Sequence, residues 1–232
     1  MTLRNENLSL KYVFREQTEL KAGEQPPLLL LLHGFGSNEQ DLISFAPYLD
    51  KRFFIVSPRA PFSLSFGGFA WFEIYFGAPG ISINAEQFET SRQRLLKFID
   101  EVVSSYESAA ARVFLVGFSQ GAMMSYSLAL PEPERFAGVV AMSGRVNAEY
   151  LPPIEKSKLK KFPILVTHGL YDNVLPIQNG RQAKEFLSTL PIDLDYREYP
   201  VAHNVSEEAL AEVANWLTGK LNAVNQEKRP DS

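Results

Sequence analysis

The stretch Val113-Phe-Leu-Val-Gly117-Phe118-Ser119-Gln120-Gly121-Ala-Met-Met sets a short apolar run directly before Gly-x-Ser-x-Gly, with a helical pattern starting at once behind it. An apolar run without polar alternation suits a parallel strand covered on both faces. A serine at such a strand-to-helix elbow projects its hydroxyl above the sheet. Both glycines are needed there, because side chains would collide with the neighbouring strand and helix. Outside that context the residues would be an ordinary strand, turn and helix with a capping serine; within it, Ser119 is a candidate nucleophile.

The rest of the chain repeats the same grammar. Leu28 to Leu32, Phe53 to Ser57, Val139 to Met142 and Ile164 to Thr167 are further continuous apolar runs, and Leu194 to Tyr199 reads as one more strand. Alternation through Leu8, Leu10, Tyr12 and Phe14 predicts a half-exposed edge strand. Helical patterns lie between the strands. Asn38 to Leu49 reads as a short helix, and Phe88, Leu95, Leu96, Ile99, Val102, Val103 and Tyr106 recur at helical spacing. Gln120 to Leu130 stops at Pro131, and Pro176 to Leu190 stops at Pro191. Ser206 is placed to cap a last helix whose first turn holds Glu207 and Glu208. Strands alternating with helices predict an α/β layer fold with a mostly parallel sheet.

Composition narrows the function. The chain has 232 residues, 23 basic and 27 acidic side chains, a net charge of −4 and no Cys. That length suits one globular domain over 1–232 with an ample core; the polar ends, 1–7 and 226–232, are expected to fray. The lack of Cys excludes thiol nucleophiles, Cys-ligated metals and disulfides. A mildly acidic balance argues against nucleic acid as a partner. The N-terminal residues hold no secretory core, and no apolar run could span a bilayer, so a cytoplasmic protein without stable membrane insertion is expected. Lys156, Lys158, Lys160 and Lys161 form a basic cluster that reads as a solvated approach to a buried strand. No nucleotide-binding loop, metal motif or cofactor signature occurs.

A serine hydroxyl is a weak nucleophile near neutral pH and requires a base held by a third group. The chain has 3 His. For this elbow the order is nucleophile, acid, His. His33 precedes Ser119 and is excluded; it is expected to orient its own loop. His168 ends an apolar strand with no carboxylate upstream of it that just follows a strand. His203 remains. Asp172, just beyond the run ending at His168-Gly169, lies at the rim where ligands bind in open α/β sheets. Asp193 and Asp195 start the next strand and belong to the opposite rim. An Asp here could equally form an Asx turn. An oxyanion hole needs two converging backbone N–H groups. Gln120 supplies one at a helix N-terminus, and Phe35, in His33-Gly34-Phe35-Gly36, supplies the other.

Leu-Leu-His-Gly-Phe-Gly, Pro58-Arg59-Ala60-Pro61, Gly67-Gly68 with Ala70-Trp71-Phe72, Gly117-Phe-Ser-Gln-Gly121, His168-Gly169 to Asp172 with Val174 and Pro176, and Gly180-Arg181 together resemble the phospholipase/carboxylesterase family of α/β-hydrolases, over about Leu28 to Leu217. This family includes acyl-protein thioesterases and small carboxylesterases. The resemblance implies an α/β-hydrolase fold, Ser119, Asp172 and His203 as triad, and Phe35 and Gln120 as oxyanion donors. Ala202 departs from the Gly that many members carry before the His. In the family, a segment such as 62–83 lies beside the active site. Here it is rich in aromatics and glycines, and is expected to form a pocket wall or lid with Phe66, Trp71 and Phe72 against the substrate.

The expected activity is hydrolysis of small to medium acyl esters through an acyl-enzyme, with no cofactor or metal, by a monomer or homodimer. The alternatives are an acyl-protein thioesterase or lysophospholipase, favoured by a longer pocket, and a catalytically silent binding module, which would lack a triad member.

Overall fold

The computed structural model describes residues 8–20, 24–77, 80–106 and 112–227. The termini expected to fray fall outside these residues at 1–7 and 228–232, whereas Gln226 and Glu227 continue the last helix. Seven strands build one sheet: β1 (Tyr12–Arg15), β2 (Leu28–Leu32), β3 (Phe54–Pro58), β8 (Val113–Phe118), β9 (Gly138–Met142), β10 (Pro163–Gly169) and β11 (Asp193–Tyr199). Their spatial order is β1-β3-β2-β8-β9-β10-β11. Only β1 runs antiparallel, against β3; every other pairing is parallel. Two hairpins, β4 (Phe62–Ser63) with β5 (Phe69–Ala70) and β6 (Ile74–Gly77) with β7 (Gly80–Ile83), stand apart from the sheet.

Both faces of the sheet are covered, as the uninterrupted apolar strands require. Leu28, Leu30 and Leu32 of β2 enter a cluster with Phe88, Leu95 and Ile99 of α1 (Ala85–Ser105), Met124 and Leu128 of α2 (Gln120–Ala129), and Leu187 of α3 (Ile177–Ser188). Leu29 and Leu31 turn the other way, towards Val213, Leu217 and Leu221 of α4 (Glu207–Glu227) and towards Leu42 and Ile43. Caps define the helix starts. Asn84 accepts from the Gln87 N–H at α1, and Ser206 Oγ accepts from the Ala209 N–H at 3.1 Å.

Two expectations change. Strand β1 is at the edge but is buried rather than half-exposed: Tyr12 and Phe14 pack on Phe98, Phe54 and Tyr106, while Val13 joins the opposite cluster. Alternation there separates two buried faces. The helix expected over Asn38 to Leu49 is a 3₁₀ segment, Leu42–Tyr48, with Pro47 inside it. Proline lacks the N–H an α-helix would use and crowds the preceding turn.

The chain passes from β2 outward to β3 and then returns to β8 on the other side of β2. That reversal opens a crevice between the C-terminal ends of β2 and β8, where open α/β sheets bind ligands. The crossing is tight. A Cβ at Gly121 would lie 1.8 Å from the Leu32 carbonyl oxygen, and one at Gly117 would lie 2.2 Å from the Gly121 oxygen. Gly121→Ala should therefore force α2 away from β2 and cost at least about 3 kcal/mol, as overpacking of a dense interior does. Urea unfolding that gives an unchanged midpoint would refute this account of the glycine.

Candidate active site

Ser119 joins β8 to α2 with φ 54° and ψ −113°, a left-handed conformation that costs a non-glycine residue about 1–3 kcal/mol. The neighbours hold it there: the Ser119 N–H donates to Met142 O at 2.9 Å, and Ser119 O accepts from the N–H groups of Ala122 and Met123. The hydroxyl thus stands at the mouth of the crevice. His203 Nε2 lies 3.1 Å from Ser119 Oγ, and His203 Nδ1 lies 2.7 Å from Asp172 Oδ2. The Asp172 side chain is wholly buried, and that of His203 is 15% exposed.

Asp172 serves two partners. Its Oδ1 accepts the N–H groups of Val174 and Leu175, closing the turn after β10, while Oδ2 faces His203. The Asx-turn and carboxylate-partner readings of this residue are both realised, one on each oxygen. The His203 loop is brought in by close backbone approach at Gly169, where a Cβ would meet Ala202 O at 2.3 Å. Leu170 and Tyr171 donate to Tyr199 O and Val201 O. Ala202 itself is outside the set of residues with positive φ, so alanine fits this loop. Asp193 and Asp195 begin β11 at the opposite rim, bound to Lys220 and Trp216. His168 is buried behind Asp172; its Nε2–H donates to Leu175 O at 2.7 Å and supports the turn.

Phe35 and Gln120 border the same cavity as Ser119. Among the described residues neither backbone N–H has a partner, so two donors remain free beside the hydroxyl. The loop carrying Phe35 is fixed by His33, which is buried and reaches in two directions: Nδ1–H donates to Gly34 O at 2.7 Å, and Nε2 accepts from the Ala60 N–H at 3.0 Å. Burial lowers the imidazole pKa, outweighing the Gly34 hydrogen bond that raises it. A neutral ring satisfies both bonds, whereas a second ring proton would displace the Ala60 donor.

With the folded pKa below the unfolded value of about 6.5, the unfolded chain binds more protons just below that pH. The stability His33 contributes is then present above about 6.5 and is lost as pH falls below it. Unfolding free energies of wild type and His33→Gln from pH 7 to 5 should differ in slope, with wild type steeper by up to about 1.4 kcal/mol per pH unit. Parallel slopes would remove this role.

The cavity at Ser119 measures about 340 Å³. Phe72 lines it, together with Ile74 and Ile83 of the second hairpin, so segment 62–83 supplies a wall. Trp71 and Phe66 are placed elsewhere than expected. Trp71 is fully buried behind the cavity, where its Nε1–H donates to His33 O at 2.9 Å. Phe66 is 73% exposed and packs on Phe35 outside the lining. The Gln120 side chain clamps the wall to α2: Oε1 accepts from the Trp71 N–H and Nε2 donates to Phe72 O. Met123, Arg145, Val174 and Leu175 complete the lining beyond the sequence reading. For Val174 and Leu175 a signal existed, since they lie two and three residues after Asp172 at the rim.

Among the described residues no cluster of His, Cys, Asp or Glu is arranged to hold a metal ion, and no helix is long and apolar enough to cross a membrane.

The profile of the phospholipase/carboxylesterase family matches residues 15–221. Acyl-protein thioesterase 1 of Kluyveromyces lactis is 31% identical over 219 residues, covering 87% of this chain and 95% of that protein. A probable carboxylesterase of Oryza sativa subsp. japonica is 27% identical over 228 residues, 89% of this chain and 82% of its own. Among solved structures, the carboxylesterase from Mesorhizobium loti shares the fold with a TM-score of 0.78 at 22% identity, over 94% of this chain and 98% of that one. The chain belongs to the phospholipase/carboxylesterase family and is a serine hydrolase of the α/β-hydrolase fold.

Proposed function

We propose that the protein is a carboxylesterase of small to medium acyl esters, with Ser119, His203 and Asp172 as its triad. The observation that carries this is the continuous hydrogen-bonded line from Asp172 Oδ2 through the His203 ring to Ser119 Oγ, ending in a cavity beside two unpartnered N–H groups. Ser119 Oγ attacks the ester carbonyl carbon as its proton passes to His203 Nε2. The developing oxyanion takes the N–H groups of Phe35 and Gln120. Collapse breaks the bond to the leaving oxygen, which takes the proton from His203, and leaves Ser119 acylated. Water repeats the sequence, giving its proton to His203 and its oxygen to the acyl carbon, and frees the acid and Ser119. Asp172 holds the ring with Nδ1 protonated and offsets its charge when Nε2 is also protonated.

A cavity of about 340 Å³ is at the small end of ligand pockets, which supports short and medium acyl groups. The name of the Kluyveromyces lactis relative favours a second reading, hydrolysis of acyl thioesters on proteins, by the same residues.

A fluorophosphonate probe should label the protein once, on the peptide carrying Ser119, and block turnover of p-nitrophenyl butyrate in proportion. Label on another residue, or full turnover by labelled protein, would overturn the assignment.

A further inference from the structure

We propose that Arg145 makes this enzyme selective for esters that also carry a carboxylate, which its guanidinium receives inside the cavity. This inference rests on the esterase reading and adds the class of substrate.

The cavity wall is made chiefly of apolar side chains, including Phe72, Ile74, Ile83 and Met123, and among all its lining residues only Arg145 and His203 can carry charge. Among the described residues no carboxylate borders it. Arg145 is partly buried, and among the described residues it has no hydrogen-bond or ion-pair partner. Other partly buried arginines are answered: Arg15 by backbone carbonyls including those of Ala46 and Asp50, Arg59 by Glu39, Arg92 by Glu89 and Glu132. The chain as a whole carries a net charge of −4, so an unanswered cation in the cavity is no reflection of a basic surface.

Its placement is built into the backbone. Ser143, at the end of β9, takes φ 48°, and its N–H donates to Thr167 O at 2.8 Å. A Cβ at Gly144 would fall 2.5 Å from Ala122 Cβ on the helix that follows Ser119. Two residues beyond Arg145, Asn147 is buried against Met123 of the same lining. The segment is therefore pressed onto α2 on both sides of Arg145, which fixes where its side chain leaves the backbone.

A guanidinium in an apolar wall loses hydration without compensation until an anion arrives. A carboxylate matches its planar fork with two parallel hydrogen bonds, and one unit charge neutralises one arginine. A neutral ester of equal length gains no such pair and covers the cation further, so discrimination acts in both directions.

The test compares kcat/KM for two matched pairs: monoethyl adipate against ethyl heptanoate, with the carboxylate on the acyl side, and 4-acetoxybutanoate against pentyl acetate, with it on the alcohol side. Wild type should prefer the anionic member of one pair at least tenfold, and the pair that responds tells which side Arg145 faces. Arg145→Gln should lower kcat/KM for that ester by about 10- to 100-fold, mainly through KM, and should not lower it for the matched neutral ester, which no longer covers a cation. Arg145→Lys should keep part of the preference, since it retains charge without the fork. Neutral esters turned over normally, with no anionic preference in wild type or no change in Arg145→Gln, would overturn this inference alone. No turnover of any of the four esters would overturn the esterase reading and this inference with it.

Discussion

Ser119→Ala should lower kcat on p-nitrophenyl butyrate by about 10⁶-fold, the scale on which another serine triad loses activity without its nucleophile. Among the described residues the only side-chain hydrogen bond removed is the one to His203 Nε2 at 3.1 Å, and the backbone bonds of residue 119 to Met142, Ala122 and Met123 remain. The variant should therefore fold as wild type does. A companion variant separates chemistry from strain. Alanine keeps the cost of φ 54° at the elbow, whereas Ser119→Gly relieves it, so the glycine variant should be equally inactive yet unfold at higher denaturant than the alanine variant. Turnover by Ser119→Ala near that of wild type would end the nucleophile assignment. An alanine variant more stable than the glycine variant would instead remove the claim of stored strain.

How much of this was legible beforehand depended on whether a feature is local along the chain. The parallel strands were, because burial on both faces leaves a run such as Leu28 to Leu32 with no polar alternation to confuse. The loops holding Ser119, Asp172 and His203 were legible as well. Each directly follows a strand, and parallel strands deliver all their C-terminal ends to one rim. Strand β1 misled because alternation signals two different faces without saying whether solvent or a second core covers either. The cavity wall was least accessible. Trp71 and Phe72 are adjacent and both aromatic, yet one turns back to His33 O and the other faces the cavity. Arg145 carried no motif, and its meaning arises only when β9 is set beside β8 and the side chain is found without an anion.

Asp172→Asn should reduce turnover by up to about 10⁴-fold while the protein stays folded, on the scale of the same change in another serine triad. The two oxygens of Asp172 explain both halves of that expectation. Asparagine can keep its Oδ1 on the N–H groups of Val174 and Leu175, which preserves the turn. Its Nδ2 then faces His203 Nδ1, where Oδ2 stood at 2.7 Å. A donor at that point selects the ring tautomer protonated on Nε2, which presents a proton to Ser119 Oγ where a lone pair is required. The alternative placement, with the amide reversed, would set two N–H donors against the Nδ2 group and open the turn. Asp193→Asn and Asp195→Asn serve as internal controls. They lie at the start of β11, paired in register with Pro163 and Leu165 at the far end of β10, and their contacts are with Lys220, Trp216 and Arg197. Each should change turnover by no more than about twofold, as surface substitutions away from a site do. Equal small losses in all three variants would mean that the carboxylate is supplied from elsewhere. A large loss confined to Asp193→Asn or Asp195→Asn would contradict the parallel pairing of β10 with β11 that brings Asp172 and His203 to one rim.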